Sequence, residues 1–135
     1  MRAASLFEEL RRERNLGRAL AERLRRGDSV DGFGHPLHPE GDPRATFLLG
    51  MLPPSKEHEF ARALINAAEE VVGEGPTLDV ALVAVERALS LPAGAALTLF
   101  ALGRTIGWIG HAIEQYAQNG IIRPRAKYVG TMPQE

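Results

Sequence analysis

The sequence predicts an all-α fold of about six helices. Apolar residues, mostly leucine, alanine and valine, recur every three or four positions along much of the chain, a spacing that lines one face of an α-helix. Glycine and proline interrupt these stretches and mark their ends. No stretch alternates apolar and polar residues in the manner of a strand, and the 135 residues suit one domain or a large fragment of one.

The first two helices are predicted within residues 5–27. Ser5 and Glu8 have the spacing of a capping box, which predicts a short helix from Ser5 to about Arg14. Leucines at an interval of four residues mark a second helix, which Gly27 ends. These leucines are Leu16, Leu20 and Leu24. Arginine and glutamate alternate around them, so we interpret the charged residues as the solvated faces of the helices.

Three further helices are predicted in the middle of the chain. Asp42 and Pro43 suit the N-cap and first position of a helix that ends at Leu52, before two prolines. Ser55 caps the next helix, which ends at Gly73. Thr77 begins the third. A purely structural role would account for Asp79 in its first turn, because a carboxylate there interacts favourably with the helix dipole.

The last predicted helix runs from about Ala95 to Asn119 and is apolar on nearly every side over its first nineteen residues. A helix of this kind is either buried or spans a membrane. Arg104, His111 and three glycines interrupt the apolar run, so we favour burial over a membrane span.

Composition restricts the partners that the sequence suggests. Sixteen Lys and Arg residues stand against seventeen Asp and Glu residues, a net charge of −1, which suggests neither nucleic acid nor a membrane surface as a partner. The chain has no cysteine, which excludes disulfides and suits a reducing cytoplasm. We therefore expect a cytoplasmic location.

The loop over residues 32–44 holds three glycines, three prolines, two histidines and Arg44. An ordinary turn between helices would account for it. Three chemical interpretations compete with that one. His35 and His38 could ligate zinc, but no cysteine or acidic partner completes the set, so no metal site is expected. Gly32 and Gly34 could cradle a phosphate, although no strand precedes them. His35 could also act with Asp79 and several arginines in an acid/base site that binds carboxylates.

Four blocks of the sequence resemble the citrate synthase family, in the family's order and at its spacing. The first joins Gly32–His35 to Asp42–Arg44, and the second is Gly75–Asp79, with Thr77 where asparagine is usual. The third covers residues 101–115 and resembles the family's penultimate helix. The fourth covers residues 122–130 and resembles its C-terminal signature. Residues 5–31 also resemble the helices that precede the loop.

The resemblance implies a role for individual residues. Asp79 matches the base that takes a proton from the methyl group of acetyl-CoA, and His35 matches the acid that protonates the oxaloacetate carbonyl. Arg44 and Arg104 match groups that hold the oxaloacetate or citrate carboxylates, and Arg123 matches an arginine donated across a dimer interface. These types suit the chemistry, because guanidinium groups bind carboxylates through paired hydrogen bonds.

The resemblance also implies the ligands of the chain. The backbone around Val30, Gly32, Phe33 and Gly34 matches the stretch that contacts the adenine of CoA. Acetyl-CoA or CoA would be a substrate, and no bound cofactor is implied. The reaction would be citrate synthesis or a relative of it, such as methylcitrate synthesis or citryl-CoA cleavage. The alternative is a module of this fold that binds CoA or carboxylates without turnover.

The resemblance further implies a partial site. Residues 1–90 would form the family's small domain, and residues 91–135 a helix and tail that return to the large domain. We expect the N-terminal portion, with the histidine that stabilises the enol of acetyl-CoA, to be absent, and the chain by itself to be inactive. Either self-association or a second chain that carries the missing half would then cover residues 95–113.

Overall fold

The computed structural model describes residues 1–118 and Val129. These residues form six α-helices and no strand beyond one isolated β-bridge. The helices are α1 (Arg2–Leu10), α2 (Leu16–Arg25), α3 (Pro43–Gly50), α4 (Lys56–Val72), α5 (Leu78–Ala88) and α6 (Ala95–Gln118). The prediction of an all-α fold with about six helices is confirmed.

Most of the predicted helix boundaries agree with the structure to within two residues, but both ends of α1 differ: the helix begins at Arg2 instead of Ser5 and ends at Leu10 instead of about Arg14. The side chains of Asp42 and Ser55 cap α3 and α4 as predicted, and Gly73 ends α4 with a φ of 80°. The capping box at Ser5 does not form. Helix α1 begins earlier, at Arg2, because Ala3 is buried on the same helix face as Leu6, Phe7 and Leu10, and burial of this face outweighs a local cap.

Helix α5 lies at the centre of the fold. Five of its apolar residues are buried, and it packs against α1, α3 and α4, while α2 packs against α4. The largest fully buried side chains come from four of the helices. They are Phe7, Leu10, Leu20, Leu64, Val80 and Val83. The position of the α5 N-terminus is therefore set by packing on three sides.

Helix α6 is predicted to be buried, but the residues that the structure describes do not cover it. Ala96 is its one buried residue. The Glu86 carboxylate accepts a hydrogen bond of 2.7 Å from the Ala96 amide and ties the start of α6 to α5. Large apolar side chains along α6 are exposed, and six of them alternate at spacings of three and four. These six are Leu99, Leu102, Ile106, Ile109, Ile113 and Tyr116.

By length and composition alone, α6 could also cross a membrane. Contacts divide the chain into two units, Met1–Gly103 and Arg104–Glu135. The first holds α1 to α5 and the start of α6, with all buried core residues among those that the structure describes, and the second holds the rest of α6. The predicted division between residues 90 and 91 stays a prediction.

Candidate functional site

The loop after α2 is held against the segment that leads into α5. Phe33 and Pro76 form an antiparallel bridge. The Gly34 amide donates to the Gly75 carbonyl at 3.0 Å, and the Thr77 amide donates to the Gly32 carbonyl at 2.8 Å. These bonds join the first and second blocks of the family resemblance, which lie about forty residues apart in the sequence. They bring the loop that carries His35 to the start of the helix that carries Asp79.

Gly32 permits this close approach. Its φ of +98° lies in the left-handed region, and a β-carbon there would lie 2.6 Å from Cγ2 of Val80 and 3.3 Å from Cβ of Ala3. Val80 is fully buried on α5, so it has little room to retreat. Any side chain at residue 32 would push the loop away from α5.

We therefore predict that Gly32→Ala destabilises the fold by about 2–4 kcal/mol, through backbone strain and steric overlap together. Gly27→Ala is the matched control, because Gly27 has a φ of +85° and open space where its β-carbon would lie. The control should lose only about 1 kcal/mol, from strain alone. Urea unfolding followed by circular dichroism measures both losses. Equal losses in the two variants would contradict the close packing of Gly32 on Val80.

Asp42 joins the N-termini of α3 and α5. Its Oδ1 accepts from the Arg44 amide at 3.0 Å and caps α3, and its Oδ2 accepts from the Leu78 amide at 3.0 Å and caps α5. The Thr77 side chain makes no capping hydrogen bond, so Asp42 takes over that role. The Arg44 guanidinium also binds both oxygens, at 2.9 and 2.8 Å.

The Arg44 guanidinium and the two amides hold the pKa of Asp42 well below its usual range, although burial of the carboxyl opposes them. Because the folded-state pKa is lowered, the contribution of Asp42 to stability is complete above the unfolded-state pKa. It is lost as the pH falls below that value towards the folded-state pKa. The carboxylate is therefore ionised and fully engaged at neutral pH.

His35 lies half-buried in a cleft of about 340 Å³. The Leu37 amide donates to its Nδ1 at 3.1 Å, so a neutral His35 ring carries its proton on Nε2. The His38 ring lies 5.0 Å away between centroids. Asp42, Glu74 and Pro76 also line this cleft. Within residues 1–118 and Val129, no group of three or more His, Cys, Asp or Glu residues could hold a metal ion.

Asp79 lines a different cavity, of about 330 Å³. Its carboxylate is exposed in the first turn of α5. Gly32, Leu97 and Phe100 share this cavity, and so does Asp31, which pairs with Arg2 at 3.8 Å. The structure therefore places His35 and Asp79 on segments that are hydrogen-bonded to each other, but in separate cavities.

The other predicted site residues differ in their surroundings. Arg44 is paired with Asp42 and half-exposed. Arg104 is exposed on α6 in the second unit, and Arg123 lies outside the described residues. Near the loop, the Val30 side chain is buried and Phe33 packs against the core. Val30 and Phe33 thus hold the loop in place.

The sequence identified Asp42 as the cap of α3 and missed its second role. The bond to Leu78 spans 36 residues, and local spacing carries no signal for it. The sequence also did not indicate that the Glu74 side chain lies against the loop. A β-carbon at Gly34 would overlap the Glu74 carboxylate, which shows how closely this side chain lies against the loop.

A family model described as "Citrate synthase, C-terminal domain" matches residues 1–125. Among curated proteins, a citrate synthase of Haloferax volcanii is 36% identical over 114 residues, which cover 79% of this chain and 30% of that protein. A 2-methylcitrate synthase of Shewanella oneidensis is 26% identical over 140 residues, which cover 98% of this chain and 37% of that protein.

A solved structure, that of citrate synthase from Thermotoga maritima, superposes with a TM-score of 0.78 at 29% sequence identity. The match covers 99% of this chain and 39% of that one. The chain thus spans about a third of the length of the relatives it matches, and it corresponds to their C-terminal part.

Proposed function

Because this chain belongs to the citrate synthase family, we propose that its 135 residues supply the His35 and Asp79 side of a site that condenses an acyl-CoA with oxaloacetate. The observation that carries the proposal is the pairing of residues 32–34 with residues 75–77. It holds the proposed acid and the proposed base on two segments joined by hydrogen bonds.

In the proposed reaction, the Asp79 carboxylate removes a proton from the carbon next to the thioester. The resulting carbanion attacks the ketone carbon of oxaloacetate, and His35 delivers a proton to the ketone oxygen. The hydrogen bond from Leu37 to Nδ1 supports this role, because it leaves the proton of the neutral ring on Nε2. Water then hydrolyses the thioester and releases CoA.

The carboxylates of oxaloacetate would bind the arginines. Arg44 has a half-exposed guanidinium near the start of α5, and Arg104 is exposed on α6. Arg123 is proposed to act across an interface between two chains. The adenine of CoA would contact the backbone of the loop from Val30 to Gly34. The reaction would be citrate synthesis, methylcitrate synthesis or citryl-CoA cleavage, which differ in the acyl group or in the direction.

We further propose that these residues do not form a complete site, since they span about a third of the length of the relatives. Groups from outside them would stabilise the enol, and another chain would cover α6. We propose a second copy of this chain as that cover, and a cytoplasmic location for the assembly. The exposed apolar side chains on α6 support the proposed interface.

The test is a comparison of binding and turnover by the 135 residues alone. Calorimetric titration is expected to show binding of CoA and of oxaloacetate. Oxaloacetate-dependent release of CoA from acetyl-CoA should stay far below about 1 s⁻¹, the lower end of ordinary enzyme rates. Turnover at ordinary rates that Asp79→Ala abolishes would contradict the partial site. Failure to bind either ligand, both by the 135 residues and by a chimera that restores the remainder of the fold, would contradict the whole proposal.

A second candidate is a non-catalytic module that binds CoA or carboxylates. The separate cavities of His35 and Asp79 favour it, because general acid and base must reach one substrate. Binding without turnover fits both candidates in this assay. Restoring the remainder of the fold separates the two candidates, because turnover would then appear only if this chain is part of an enzyme.

A further inference from the structure

Asp42 makes more contacts than the cap of a helix requires. Asn15 and Ser55 cap α2 and α4, and each accepts one amide hydrogen bond with its side chain. The Asp42 carboxylate has a side-chain exposure of 1% and accepts four hydrogen bonds from three groups. Two come from backbone amides at the starts of two helices, and two come from one guanidinium. The same carboxylate therefore fixes a charged side chain relative to both helices.

The bonds to Arg44 occupy one edge of its guanidinium. They run from Nε to Oδ1 at 2.9 Å and from Nη2 to Oδ2 at 2.8 Å, a two-pronged pairing along the side of the group. A guanidinium has five N–H groups, and these two bonds use one on Nε and one on Nη2. The two on Nη1 and the second on Nη2 are left at the end of the group. The Arg44 side chain is 51% exposed, so that end can reach a ligand.

The same carboxylate sets the start of α5. Its bond from Leu78 fixes the residue that precedes Asp79. The hydrogen bonds to Asp42 raise the pKa of Arg44, and the charge of Asp79 adds to this effect, so Asp79 lies within electrostatic reach of the guanidinium. One buried anion thus sets the positions of the Arg44 guanidinium and of the segment that carries Asp79, the proposed base.

We propose that Asp42 is a positioning residue, which holds the Arg44 guanidinium by its side edge and turns the free end towards a ligand carboxylate. The proposal rests on the carboxylate-binding role of Arg44 in the proposed function. It adds that this role depends on Asp42, and that Asp42 also sets Asp79 relative to Arg44 through the Leu78 amide. A substrate carboxylate would bind the free end of the guanidinium through two parallel hydrogen bonds.

The test compares Asp42→Asn with Ser55→Ala in the full 135-residue chain. Both changes weaken a helix cap, and only Asp42→Asn disturbs Arg44. Citrate is the probe, its affinity is measured by calorimetry, and the Nε–H resonance of Arg44 is followed by NMR. We expect Asp42→Asn to lose the Arg44 resonance to solvent exchange and to bind citrate about tenfold or more weakly than Ser55→Ala does. Retention of both the resonance and the affinity would overturn the proposal.

Failure of the proposed function gives a different result. If neither the unmodified chain nor a chimera that restores the rest of the fold binds citrate, the carboxylate-binding role is refuted. The Arg44 resonance then decides whether Asp42 positions the guanidinium: its selective loss in Asp42→Asn supports this role, and its persistence overturns it. If Asp42→Asn does not fold, Asp42→Ser replaces it. Serine can still cap α3 but offers no second oxygen to the guanidinium, so the same two readouts apply.

Discussion

Asp79→Asn is expected to lower kcat about 10²–10⁴-fold in a chimera that combines this chain with the rest of a citrate synthase. In the chimera, the 135 residues replace the matching part of the Thermotoga maritima protein. The two superpose with a TM-score of 0.78. The amide of asparagine cannot accept the α-proton of an acyl-CoA, whereas its size leaves the cavity beside Gly32 and Phe100 unchanged. The KM for oxaloacetate should change little, because the arginines remain.

Glu59→Gln is the matched control for this experiment. Glu59 is exposed in the first turn of α4, as Asp79 is in the first turn of α5. Both substitutions remove a favourable interaction with a helix dipole, about 0.3–1 kcal/mol each, so they should lower stability alike. Only Asp79→Asn should lower kcat. A folded chimera without activity would favour the non-catalytic module, and equal kcat values in the two variants would contradict Asp79 as the base.

Self-association through α6 is the second large effect that we expect. The six exposed apolar residues from Leu99 to Tyr116 alternate at spacings of three and four, which is the pattern of a helix–helix seam. Ile106 is 78% exposed at the middle of this seam. The purified chain should therefore elute as a dimer or larger species, and Ile106→Glu should shift it to a monomer. An unpaired buried charge costs about 3 kcal/mol or more, which is roughly a hundredfold in Kd.

Size-exclusion chromatography with light scattering measures this shift. Gln118→Glu is the matched control, since Gln118 is exposed on α6 twelve residues after Ile106 and lies outside the seam. It adds the same charge to the same helix and should leave the oligomer intact. An unmodified chain that stays monomeric at high concentration would contradict self-association, and α6 would then need a different chain as its cover.

Local sequence patterns were sufficient to predict the helices. Helix α2 follows leucines at an interval of four residues, α6 follows a long apolar stretch, and Asp42, Ser55 and Gly73 mark three boundaries correctly. The error at Ser5 has a physical cause. A capping box contributes about 1 kcal/mol, and a start at Arg2 gives up that contribution but places Ala3 in the helix, where it is buried on the same face as Phe7. Tertiary packing therefore moved the start of the helix.

The sequence by itself determined which residues are candidates for chemistry, because the four blocks carry five such residues at recognisable spacings. These are His35, Arg44, Asp79, Arg104 and Arg123. The sequence also determined that α6 is apolar over its first nineteen residues. Both are properties of residue type and local order, which need no knowledge of distant contacts.

Only the tertiary structure decided how these groups meet. The pairing of Gly32 with Thr77 and the bond from Leu78 to Asp42 join segments that are far apart in the chain, and helical periodicity says nothing about such contacts. The structure also put His35 and Asp79 in separate cavities and engaged Arg44 with a buried carboxylate. The physical reason is that the packing of α5 against α1, α3 and α4 fixes where its N-terminus and the loop against it can lie.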